Sequence, residues 1–217
     1  MTELEAVKLR HSVRKYLNKP LSSETLEAIK ERVALCNRES GLAVELNTDE
    51  KGAFGGFKAK YGGFENVRYY LAVKGLPSPD LYERAGYYGE QLVLFIQRLG
   101  LNTCWSAGSH SKRNCPVPEG EKLVCTIALG YGQTQGKERR SKPLSALYRA
   151  DIEPPAWFLS GVEAAALAPT AINQQRFRFV LESGRVRLED RGGPFSKIDL
   201  GIVRYHFELG SGKTLDP

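Results

Sequence analysis

Histidine and cysteine are scarce in this sequence, and the few present do not cluster. His11, His110 and His206 lie far apart, and Cys36, Cys104, Cys115 and Cys125 form no C-x-x-C pair. The spacings that hold structural zinc are therefore missing, and no metal is expected. With no disulfide framework either, the four cysteines read as reduced thiols of a cytoplasmic protein. No apolar run approaches the ~18 residues of a membrane span, so no membrane partner is expected. No basic-then-apolar segment follows Met1, so no secretory signal is expected. Acidic residues are in the minority: 25 Asp and Glu against 31 Lys and Arg leave a formal net charge of +6, which favours anionic partners.

What is present suits a folded domain. A chain of 217 residues is long enough to bury a core without staples. Leu26, Ile29, Val33 and Cys36 follow a capping Ser22 or Ser23 at helical spacing. A second helix starts at Ser78-Pro79-Asp80, carries Leu81, Ala85, Tyr88, Leu92, Phe95 and Leu99, and stops at Gly100. Trp157 to Ala168 is an Ala-rich helix ended by Pro169, and Asp199 to Leu209 is helical again. Gly41–Leu46, Val67–Val73 and Leu123–Leu129 read as strands, and Arg176–Asp190 as a hairpin turning at Ser183-Gly184. Lys51–Phe64, with five glycines in fourteen residues, is expected to be a mobile covering loop. Gly100–Gly108 reads as a small-residue loop, and Pro143 to Pro155 as a linker. Regular β-α-β alternation is absent, so the expected class is α+β, with a mixed or antiparallel sheet flanked by helices.

Three motifs suggest chemistry that their context denies. Gly210-Ser211-Gly212-Lys213-Thr214 lacks the first glycine of a phosphate loop, because Phe207 stands there, and a frayed tail is expected instead. Gly130-Tyr131-Gly132 with Gly136 is followed by charged residues, not by the helix of a dinucleotide fold. The interleaved lysines and aromatics of Lys51–Phe64 resemble a single-strand platform without its β-branched alternation, so nucleic acid is not an expected partner.

Two segments carry more. Arg10-His11-Ser12-Val13-Arg14-Lys15 packs three cations and a hydroxyl into six residues, the chemistry a phosphate dianion requires. On its own it is equally a solvated basic turn. Pro169-Thr170-Ala171 leads into Asn173-Gln174-Gln175, where small residues admit a planar ligand and carboxamides can bond a heterocycle. On its own this is equally a polar helix exit.

Together, RHSVRKY (10–16), GLNTCWSAG (100–108), ALGYG (128–132), RSKPL (140–144) and APTAINQQRFRF (168–179) make the chain resemble the nitroreductase superfamily of FMN-dependent oxidoreductases. The resemblance implies a nitroreductase-like fold and FMN bound at Arg10, His11, Ser12 and Arg14. It also implies contacts from Ser106, Ala107 and Gly108, from Arg140 and Lys142, and from Pro169, Thr170, Ala171, Asn173 and Gln175. By the same resemblance NAD(P)H is the reductant and a small nitroaromatic or quinone the electron acceptor. No catalytic side chain is assigned, since the flavin carries the chemistry. The rival readings are an idle flavin store or sensor and a single-strand binder.

The sequence departs from the family in two places. The family's Asn/Lys pair has no secure match, Asn66 being the nearest candidate. The A-P-S-x-x-N motif, usually early, is missing from Val33–Leu42 and appears late. The chain thus resembles the branch in which one polypeptide mimics the family homodimer. Residues 1–150 would be the phosphate half and 151–217 the partner half of one compact structural unit. A monomer would form the site alone, with dimerisation through other surfaces still open. Light scattering with flavin quantitation checks this. One FMN per monomer is expected, and FMN bound only on dimerising, or two flavins per chain, overturns it.

Overall fold

A computed structural model describes residues 1–50, 52–111 and 114–215. The chain forms two compact units, residues 10–81 with 92–138, and residues 1–9 with 82–91 and 139–217. Its α+β class matches the expectation, with antiparallel and mixed sheets beside helices.

The first unit is built on a four-stranded antiparallel sheet of β1 (Glu45–Thr48), β2 (Tyr69–Gly75), β3 (Asn102–Ser106) and β4 (Lys122–Gly130), in the order β1-β2-β4-β3. Every residue of β2 is buried, as a central strand covered on both faces requires. Helix α2 (Ser23–Ser40), which follows the short α1 (Glu3–Leu9) in the chain, is capped by Ser22, whose hydroxyl accepts from the Thr25 amide at 3.1 Å, and ends at Gly41 in the left-handed region.

Two sequence expectations fail in this unit. Residues 52–64 are not a mobile cover; Lys51 lies outside the described residues. They contain a short helix, α3 (Phe57–Tyr61), and send Ala53, Phe54, Ala59 and Phe64 into the core. The Phe54 ring lies 5.0 Å from Phe64 and 5.6 Å from Tyr70 between centroids. The Asp49 carboxylate accepts from the amides of Ala53 and Phe54. The glycines serve turns here: Gly52 and Gly63 have φ of 67° and 77°, which lets the chain double back and deliver its aromatics inward. Residues 100–108 are also not all loop. Asn102–Ser106 form β3, paired along its length with β4, between the turn at Gly100 and the bend from Ala107 onward. Asn-Thr-Cys-Trp-Ser is too polar to show a strand period, because this strand fills its face with buried polar residues.

The second unit packs α5 (Ala156–Ala166) and α6 (Ser196–Ser211) with a sheet ordered β5-β6-β7. The predicted hairpin is β6 (Phe177–Glu182) and β7 (Arg185–Asp190). The supposed linker contains β5 (Tyr148–Ala150), which runs parallel to β6; three residues are too few to show a period. Phe179 stacks on Phe207 at 4.3 Å. Gly86, on α4 (Leu81–Arg98), and Gly201, on α6, touch backbone of the opposite helix so closely that a Cβ at either would overlap it. The tail is not frayed through residue 215. Gly212 caps α6 with φ of 66°, and Leu215, 7% exposed, donates its amide to Glu208 Oε1 at 3.0 Å; residues 216 and 217 lie outside the described residues. Among the described residues no helix is long and apolar enough to cross a membrane.

Core placement of the 52–64 segment has a measurable consequence. Phe54→Ala is expected to lower stability by about 3–5 kcal/mol in chemical denaturation. Phe57→Ala, whose ring is 83% exposed, is expected to change it by less than ~0.5 kcal/mol.

Candidate functional site

In the first unit, the basic segment is an extended strip held from both sides. The Val13 amide donates to Thr103 O at 3.0 Å and the Tyr16 amide to Glu65 O at 3.0 Å. Val13 and Tyr16 are buried anchors, and the Tyr16 hydroxyl donates back to Val13 O at 2.6 Å. Asn66 Nδ2 and Gln133 Nε2 each donate to Tyr16 O at 3.2 Å. Asn66 therefore acts here as a fastener of the strip.

Alternation along the strip leaves Ser12 and Arg14 exposed, His11 half-buried and Arg10 buried. Lys15 is paired with Glu65. Among the described residues no side chain bonds or pairs with the Arg14 guanidinium, which remains available to an anion. Burial pushes the Cys104 thiol up, against the pull of Arg14, Arg10 and a Ser12 hydrogen bond. Burial also holds the Tyr16 phenol well above its ordinary value. Both groups stay protonated at neutral pH.

The end of β3 adds a second set of polar groups. The Thr126 hydroxyl fixes the Ser106 carbonyl at 3.1 Å. The Ser106 hydroxyl is buried and has no hydrogen-bond partner among the described residues. The amides of Ala107 and Gly108 have no acceptor among the described residues either. Gly108 is exposed, with open space around it. A cavity of about 530 Å³ in the same unit is lined by Phe54, Gly55, Lys60, Phe64, Glu65 and Asn66.

In the second unit, Gln175 gathers the other predicted residues. It is 2% exposed. Its Oε1 accepts from the Lys142 amide at 2.7 Å and its Nε2 donates to Ala166 O at 3.0 Å. Its carbonyl accepts from Lys142 Nζ at 2.9 Å, and its amide donates to Thr170 Oγ1 at 3.1 Å. Asn173 Nδ2 reaches Arg140 O at 2.8 Å. The fold therefore brings Arg140 and Lys142 together with Thr170, Asn173 and Gln175, although about thirty residues separate them. Pro169, Thr170 and Ala171 are half-buried.

This turn is conformationally costly. Ile172, Asn173 and Gln175 have φ of 48°, 55° and 45°, and Ile172 is 88% exposed. A β-branched residue in the left-handed region costs roughly 1–3 kcal/mol.

What holds the turn is a residue that sequence reasoning missed. The Asp199 carboxylate accepts from the Ala171 amide at 3.0 and 3.1 Å and from Gln174 Nε2 at 2.7 Å. Asp199 was legible only as a polar residue opening a helix. Burial raises its pKa to about 6, against the pull of these donors.

A family model described as "Putative TM nitroreductase" matches residues 3–211. Among solved structures, a Thermotoga maritima protein described as a putative nitroreductase is 25% identical, covers 97% of this chain and 83% of its own, and has a TM-score of 0.70. A Desulfovibrio desulfuricans protein of similar description, in complex with FMN, is 17% identical over 71% of this chain and 98% of its own, at TM-score 0.57. An FMN-dependent nitroreductase of Clostridium difficile is 20% identical over 65% and 92%, at 0.51. Comparison with curated proteins finds no match.

The Asp199 shift carries a definite sign. A carboxyl whose folded pKa is raised contributes stability that is full below about pH 4 and lost as pH rises through about 6. Stability is therefore expected to fall across that window. Asp199→Asn keeps the acceptor for Ala171 and should flatten the slope, as thermal melts at several pH values will show. An unchanged slope in the variant would remove Asp199 as its source.

Proposed function

Because the chain belongs to the nitroreductase family matched over residues 3–211, we propose that it is an FMN-dependent oxidoreductase passing electrons from NAD(P)H to small nitroaromatic or quinone acceptors. The observation that carries this reading is the set of polar groups in the first unit with no protein partner among the described residues: the exposed Arg14 guanidinium, the buried Ser106 hydroxyl and the amides of Ala107 and Gly108. A cation and three donors in one unit suit a ligand that is anionic at one end and rich in acceptors at the other. These residues fit FMN.

Bound FMN supplies the hydride chemistry. In this reading Arg10, His11 and Ser12 hold its phosphate, and Arg14 favours negative charge on the pyrimidine edge of the ring. By the resemblance an amide of the Ser106–Gly108 bend would donate to the ring's central nitrogen. By the resemblance Arg140 and Lys142 would also reach the phosphate, and the turn of Pro169, Thr170, Ala171 and Asn173, fixed by Gln175, would border the flavin ring. No side-chain proton donor is named; burial raises the pKa of both Cys104 and Tyr16 and so makes each a weaker acid.

The absorption spectrum of the purified protein is the first test: flavin bands are expected, and a protein that neither carries nor takes up FMN ends the reading. Steady-state NAD(P)H oxidation with a nitroaromatic or quinone then tests turnover. Arg14→Ala should weaken FMN binding about tenfold or more, the worth of one charge-assisted contact. Arg10→Ala should do the same and also lower stability, because Arg10 is buried. Lys15→Ala should do less, because Lys15 is paired with Glu65. Flavin titrations in which all three variants match the parent would remove the basic strip from the site.

A further inference from the structure

The open end of the β6–β7 hairpin concentrates positive charge without local neutralisation. A pocket of about 340 Å³ there is lined by Lys142, Arg176, Arg178 and Arg191, with Ala146, Gln175 and Phe177, and by no carboxylate. The Arg191 amide donates to Arg176 O at 3.0 Å, which extends the hairpin register by one pair and sets these two arginines directly opposite each other. Arg178 follows two residues after Arg176 on the same face. Like charges facing each other across a sheet destabilise it unless something neutralises them.

The neighbouring carboxylates do not. Glu189 stands opposite Arg178 in the register but pairs with Arg187 at 3.1 Å. Asp190 is engaged by Lys197, the Ser196 hydroxyl and the Gly192 amide. Among the described residues no side chain bonds or pairs with Arg176, Arg178 or Arg191, and the Arg178 Nε is buried with no hydrogen-bond partner. Lys142 Nζ is steadied on Gln175 O. Gly193, at φ of 109°, keeps the adjoining turn clear of Arg176, where a Cβ would press on that side chain and on Gln174. Three arginines and one lysine thus line a recess large enough for a phosphoryl or pyrophosphoryl group, whose oxygens guanidinium forks bind in pairs.

We propose that this pocket binds a multiply charged phosphoryl group of a dissociable ligand, such as the pyrophosphate or ribose phosphate of a nucleotide. The resemblance gives the single FMN phosphate to Arg10, Ser12, Arg140 and Lys142, which leaves Arg176, Arg178 and Arg191 unassigned, and the pocket they line serves a second phosphorylated molecule. The inference stands whether or not the chain binds flavin.

The test is calorimetric titration of the protein as purified with inorganic pyrophosphate and, separately, with adenosine 2′,5′-bisphosphate. Binding of at least one probe is expected, weakening with salt. About a tenfold loss is expected in Arg178→Gln and again in Arg191→Gln, with flavin content unchanged. Tighter binding of the nucleotide than of pyrophosphate identifies a nucleotide as the source, and the reverse identifies a free phosphate compound. Binding of neither probe, or equal binding by parent and both variants, overturns the proposal. So does displacement of bound FMN by pyrophosphate together with flavin loss in the same variants, because the pocket would then seat the flavin phosphate. A flavin-free protein that still binds pyrophosphate through Arg178 and Arg191 would sink the oxidoreductase reading and leave this one intact.

Discussion

The basic strip of residues 10–15 and the segments 140–142 and 169–175 lie outside the long helices and strands, yet their backbone groups still need partners, and long-range side chains supply them. Gln175 makes four hydrogen bonds that join residues 142, 166 and 170. Asn66 and Gln133 close on one carbonyl, that of Tyr16. Asp199 holds the turn at Ala171 and Gln174. A buried polar group left without its partner costs about 1–3 kcal/mol, so each of these fasteners affects stability as well as shape. The strained φ values from Ile172 to Gln175 persist because so many bonds fix the turn.

The net charge acquires meaning once the cations are sorted by partner. Lys15, Arg149, Arg187 and Lys197 face carboxylates. At the surface such pairs contribute little to stability, but they remove those residues from the pool that can attract an anion. Arg14 in one unit and Arg176, Arg178 and Arg191 in the other face no carboxylate among the described residues and stay in that pool.

The fold was legible where periodicity was strong. The hairpin from Arg176 to Asp190 announced itself through alternation around Ser183-Gly184, and the long helices through apolar spacing and caps. It was illegible where elements were short or polar. β5 has three residues, β3 is Asn-Thr-Cys-Trp-Ser, and the glycines of 52–64 looked like mobility when they serve a chain folding back into the core. The candidate segments could be named from residue types, while joining Arg140 and Lys142 with Thr170, Asn173 and Gln175 took the family resemblance. Their supports could not be named. Glu65 acts on Lys15 and Asp199 on Ala171 across tens of residues, and no local pattern records a contact of that range.

The glycine contact between α4 and α6 reaches further than packing. Gly86 and Gly201 meet the opposing backbone at separations that admit no side chain, so α6 can take only one rotational phase about its own axis. That phase decides where every other residue of the helix is aimed. Asp199, two positions before Gly201, is thereby directed at the turn of residues 171–174. His206, five positions after it, is directed at Glu90, with Nε2 2.9 Å from the carboxylate oxygen. Two hydrogen atoms in place of side chains thus act as an indexing mark for the helix, and the turn inherits its alignment from them.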